Sequence, residues 1–173
     1  SAQRVSADFS SKHPHLAVSA LAAAGAQASV GTTAELLAVV SGGDRWLASE
    51  ALAALARRDP AAARKVARRW IGSPELWRHR AAARVAVASG PEIERSAAAD
   101  SDAGVRLAWL GDLDDEQTIE RRELLLDLLE SDPDPAVRAQ ALSSLREAGA
   151  APDVENLVEL FAPWQGDEMG DAR

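Results

Sequence analysis

Asp134-Pro135-Ala136-Val137-Arg138-Ala139-Gln140-Ala141-Leu142-Ser143-Ser144-Leu145 decides the fold of this chain. Asp134 before Pro135 reads as a helix start. The carboxylate can accept from the free N–H groups of the first turn, and proline is pre-shaped for the first helical position. Val137, Ala141, Leu142 and Leu145 then fall at i, i+4, i+5 and i+8, the spacing of one buried stripe. The stretch recurs. Asp102-Ala103-Gly104-Val105-Arg106-Leu107-Ala108-Trp109-Leu110 repeats it 32 residues upstream, and Glu75-Leu76-Trp77-Arg78-His79-Arg80-Ala81-Ala82 lies a further 28 back. Steps of 30 and 31 reach Leu47 to Leu52 and Leu16 to Leu21. A fixed period of this length marks a stacked helical repeat.

Punctuation divides the rest. Asp59-Pro60, Ser73-Pro74 and Gly90-Pro91 offer further starts, while Gly25, Gly72, Gly90 and Gly149 stand where helices should stop. The reading predicts helices near 14–24, 32–41, 45–58, 60–71, 74–89, 91–99, 102–111, 115–130, 135–148 and 152–161. Over 115–130, Ile119, Leu124, Leu125, Leu126, Leu128 and Leu129 are expected to crowd one inward side. No stretch alternates as a strand does. The predicted fold is all-α: an α-α superhelix, or solenoid, of about five helical hairpins. One domain is expected over 1–164, followed by a disordered tail over 165–173.

Composition agrees and excludes several chemistries. Of 173 residues 47% are hydrophobic and only 4% aromatic, with alanine dominant, which suits closely crossing helices. There is no Cys, so disulfides, thiolate nucleophiles and cysteine zinc sites are ruled out. No run reaches the length of a transmembrane helix; a cytoplasmic protein with no membrane partner is expected. No phosphate loop, dinucleotide fingerprint or zinc-protease motif occurs. His13 and His15 flank a proline, and the carboxylates of Asp112, Asp114, Asp115 and Glu116 lack calcium-loop spacing. No metal and no cofactor is expected.

The net charge of −8 hides a division. Asp44 to Arg84 carries ten basic and four acidic side chains; Val85 to Arg173 carries seven basic and twenty-one acidic. Arg57, Arg58, Arg64, Lys65, Arg68 and Arg69 cluster across one predicted hairpin. Arg64, Lys65, Arg68 and Arg69 fall at i, i+4 spacing and, with Arg80, are the expected partner-binding residues, docking an anionic surface. A protein partner is the leading expectation, and nucleic acid the second.

The Asp-Pro-x-Val-Arg-x-x-Ala-x-x-x-Leu pattern of Asp134 to Leu145, with its echoes, resembles the HEAT family in its bacterial HEAT-like form. The resemblance implies a non-enzymatic scaffold or adaptor. It also implies that the equivalent Arg78, Arg106 and Arg138 pack between repeats on helix-end carbonyls or carboxylates, and that Ala20, Ala51, Ala81 and Ala141 let helices cross closely. Trp109 replaces that small residue in one copy. A narrower stretch, Trp70-Ile71-Gly72-Ser73-Pro74-Glu75-Leu76-Trp77-Arg78-His79-Arg80, resembles the helical-repeat alkylpurine DNA glycosylases, which carry Trp-x-x-Ser-x-x-x-Trp-x-x-Arg there. That resemblance implies catalytic roles for Trp46, Glu50 and Arg80. Glu50 would stabilise positive charge on the sugar as the base leaves, Arg80 would hold a phosphate, and the tryptophan would pack on the lesion. Here Glu50 stands where that family has Asp, and Trp46 and Trp77 are one repeat period apart, as a stacked core alone would place them.

Overall fold

Capping aspartates set five of the helix starts. A computed structural model describes residues 14–27 and 31–152, and all its regular structure is helical. The helices are α1 (Pro14–Ala26), α2 (Thr33–Val40), α3 (Arg45–Arg58), α4 (Pro60–Trp70), α5 (Leu76–Ala83), α6 (Ala86–Ser89), α7 (Pro91–Ala98), α8 (Ala103–Leu110), α9 (Asp115–Glu120), α10 (Arg122–Ser131) and α11 (Pro135–Glu147). Asp44, Asp59, Asp102 and Asp134 each accept a backbone N–H from the first turn of the helix that follows. Asp114 forms a reciprocal capping box with Gln117. Ser73-Pro74 departs from this rule. Helix α5 begins two residues later, behind Glu75, whose side chain caps nothing. The helix expected at 152–161, His13 and the expected tail lie outside the described residues.

Two compact units divide between Asp112 and Leu113. In the first, the leading helix of each hairpin lies against the leading helix of the next: α1 on α3, α3 on α5, α5 on α8. Helix α3 is the centre. Its residues Ala51 to Ala56 are all buried because α1, α2, α4 and α5 cover it on every side. Leu52 and Leu55 are fully buried there, and cutting either to Ala would cost about 2–5 kcal/mol. In the second unit α9 and α10 pack on α11 through Leu125, Leu129, Val137, Ala141 and Leu145.

The repeated motif is a local clip. Arg106 donates to the carbonyl of Asp100 at 2.7 Å, and Arg138 donates to that of Asp132 at 2.7 Å. Asp100 and Asp132 in turn accept from the N–H two residues on, at Asp102 and Asp134. The helix-end carbonyls expected for these arginines are therefore their partners. Arg78 differs. It pairs with Glu75 and lies over the rings of Trp70 and Trp77.

Four expectations need correction. The span 74–89 breaks at Arg84–Val85, where the Val85 N–H reaches back only three residues, to Ala82. The span 115–130 breaks at Arg121, whose N–H is shared between the Gln117 and Thr118 carbonyls. Ile119 and Leu124 are not inward: they are 54% and 37% exposed, since Leu125 and Leu129 alone define the stripe that meets α11. Ala20 and Leu142 are only half-buried. In the first copy Gly25 also approaches α3 closely, where an added Cβ would sit 3.0 Å from Ala54 Cα. Trp109, which stands at the position of Ala20 in another copy, is fully buried with its indole Nε1 unpartnered.

Candidate functional site

Helices α2 and α4 both rest on α3, and a groove of about 460 Å³ lies between them. Its floor is apolar: Leu37 from α2, with Ala62 and Val66 from α4. Its rim is cationic. Lys65 and Arg69, one helical turn apart, line it and are exposed. Asp59 also lines it, but its carboxylate is held by the Ala62 N–H at 3.0 Å. Among the described residues neither Lys65 nor Arg69 meets a carboxylate. Arg69 also borders a second hollow of about 270 Å³ with Val40, Ser41, Gly42, Trp70 and Arg78, so one guanidinium serves both.

That second hollow has a rigid wall. Trp70 and Trp77 meet edge-to-face with centroids 5.2 Å apart. The Arg78 guanidinium stands 5.8 Å and 5.2 Å from their centroids. Glu75 takes Arg78 Nη1 at 2.6 Å and the Trp77 indole N–H at 3.3 Å, so the box is neutral in sum. Its Nε is buried and unpartnered. The net charge of the region therefore comes from α4.

The rest of the basic cluster is partly spoken for. Arg58 donates to the carbonyls of Ala24 and Gln27, clamping the end of α1. Arg68 pairs with Glu92 at 2.8 Å, with both side chains exposed. Arg64 is exposed and lies against Gly90, where an added Cβ would stand 3.4 Å from its guanidinium.

Trp46, Glu50 and Arg80 fall on one layer, formed by α3, α5 and α8. Trp46 is 48% exposed at the start of α3, and Glu50 follows one turn on. Neither Glu50 nor Arg80 is unengaged. Glu50 accepts from Arg84 Nη1 at 2.8 Å, and the same nitrogen lies 3.5 Å from Ser49 Oγ. Arg80 pairs with Asp102 at 3.2 Å and lies flat over Gly104, where a Cβ would meet its Nη2 at 2.4 Å. Asp112 stands near Arg84, Arg57 and Glu50. Crowding around its carboxyl raises it to about 6 against the pull of both arginines, although the residue keeps an open edge to solvent. Sequence reasoning missed Arg84 and Asp112. The one signal for Arg84 is its i, i+4 spacing from Arg80; Asp112 gives none, because its partners lie 28 or more residues away.

Among the described residues no group of three or more His, Cys, Asp or Glu side chains could hold a metal, and no helix is long and apolar enough to cross a membrane. His79 Nδ1 faces Asp100 at 3.5 Å and its Nε2 is buried without a partner. No family model matches the chain, and no curated protein matches it significantly.

Proposed function

We propose that the chain is a non-enzymatic protein-binding module of HEAT-like hairpins, whose docking surface is the groove between α2 and α4 and whose partner is an acidic, partly apolar protein segment. One observation carries this reading: Lys65 and Arg69 stand exposed above an apolar floor, with no carboxylate partner among the described residues. Charge complementarity would steer the partner, and the floor would hold it. The compensation of Glu50 by Arg84 and of Arg80 by Asp102 supports a binding role over catalysis. A carboxylate meant to stabilise a developing cation should not be neutralised beforehand.

The test is a labelled, helical peptide of Glu and Leu, titrated by anisotropy beside its Gln-for-Glu counterpart. The acidic peptide should bind, salt should weaken it, and Lys65→Glu with Arg69→Glu should cost at least about tenfold. An affinity indifferent to those two substitutions overturns the reading. A second reading, an alkylpurine DNA glycosylase or an inactive relative, keeps one supporting observation: Trp46 is half exposed on the face that carries Glu50. Base release from alkylated DNA, lost in Glu50→Gln, would put that reading first.

A further inference from the structure

The occupant that the groove calls for is also present on the chain itself. Helix α10 carries Glu123 and Asp127 one turn apart, both exposed, with Leu124 exposed beside them. Ile119, at the end of α9, adds a second exposed apolar side chain. The buried side of α10 is set by Leu125 and Leu129, so this outer face is not the one that meets α11. Glu120 is taken by Arg121 at 3.0 Å. Among the described residues Glu123 and Asp127 meet no basic side chain. A face made of two unpaired carboxylates and two uncovered apolar side chains has the composition of an interaction surface.

We infer that the α2–α4 groove of one molecule takes the α9–α10 face of a second copy. The inference rests on the groove being a docking surface, as proposed above. Three features match. The signs are opposite, with Lys65 and Arg69 against Glu123 and Asp127. The spacing is the same, since both pairs are i, i+4 and so about 5–6 Å apart along their helices. The apolar parts also correspond, with Leu124 beside the two carboxylates and Leu37, Ala62 and Val66 beside the two cations. Groove and face are different surfaces, so every copy offers one of each. The contact pairs unlike surfaces, the groove of one copy with the helical face of another. Exposed charges are screened over about 8 Å at physiological salt and about 3 Å at 1 M, so the association should be weak and sensitive to ionic strength.

Sedimentation velocity on the full chain, from micromolar to near-millimolar protein, tests this. At low salt the sedimentation coefficient should rise with concentration, and high salt should return it to the monomer. Lys65→Glu with Arg69→Glu, and separately Glu123→Lys with Asp127→Lys, should each abolish association, while an equimolar mixture of the two variants should restore it. Leu124→Ser should weaken association at unchanged charge, which bulk attraction between oppositely charged chains would not explain. All four charged positions are exposed, so circular dichroism and melting should match the native chain. A native chain that stays monomeric throughout overturns the inference; so does association that survives both charge reversals. Binding of the acidic peptide separates the two proposals: if it binds the groove and the chain remains monomeric, only self-association falls. If neither occurs, both fall.

Discussion

Gly25 and Gly104 both lie inside helices, and replacing each with alanine should give opposite results. The intrinsic change is the same: alanine in a helix gains about 0.5–1 kcal/mol over glycine. What the new methyl group meets differs. At Gly25 it would stand 3.0 Å from Ala54 Cα and 3.1 Å from the Ala54 carbonyl oxygen, both backbone atoms of the central helix α3. These cannot move without shifting α3 under its five neighbours, and overpacking of this kind costs about 1–3 kcal/mol. The net expectation for Gly25→Ala is a loss of about 1–2 kcal/mol. For a chain of this size that lowers Tm by about 2–8 °C. At Gly104 the obstacle is the far end of Arg80, which can swing into solvent. The variant forfeits an exposed ion pair worth about 0–1 kcal/mol and gains the helix preference, so it should fall within about 0.5 kcal/mol of the native chain. Urea unfolding of both, with equal m-values, decides it. Gly25→Ala as stable as the native chain would refute the packing of α1 against α3 described above.

The remaining predictions concern the two arginine clips, Asp112 and Trp109. Arg106 is 6% exposed and bonded to the Asp100 carbonyl, so Arg106→Met should lose about 1.5–3 kcal/mol by urea unfolding, and Arg138→Met should show a comparable loss. Asp112 keeps its proton in the folded chain up to about pH 6 but releases it near 3.8 when unfolded. Between those values the folded state holds more protons, so this residue's contribution to stability is lost as pH rises through about 6. The stability of the native chain minus that of Asp112→Asn, from melts across that window, should accordingly decline with pH; a rising difference would show the opposite sign of coupling. Trp109→Ala should cost about 3–5 kcal/mol. Trp109→Phe should cost less than half as much, because it also removes an indole N–H buried without a partner.

Much of the architecture was legible because its signals are local. Asp44, Asp59, Asp102 and Asp134 act on N–H groups two or three residues away, so each helix start could be read from adjacent letters. The roles of Arg106 and Arg138 were legible for the same reason, since the carbonyls they bind lie six residues back. Arg78 meets the other kind of partner expected of these arginines, a carboxylate, at Glu75. Its copy is shortened to 28 residues and its environment is set by two tryptophans seven positions apart. Ile119 and Leu124 were misplaced because, at about 100° per residue, both stand well off the stripe that Leu125 and Leu129 form. The candidate site was half visible. Lys65 and Arg69 announce themselves by spacing, while the groove beside them depends on Leu37, which stands 28 residues before Lys65 and carries no mark of its own.

The bonds that join Asp100, Asp102 and Arg106, and again Asp132, Asp134 and Arg138, each lie within seven consecutive residues. A loop that short costs little entropy to close. It can form early during refolding, and it can travel. A designer lengthening this protein could transplant the seven-letter cassette to mark each new junction, much as a tailor reuses one buttonhole pattern, and should leave its internal spacing untouched when inserting residues elsewhere.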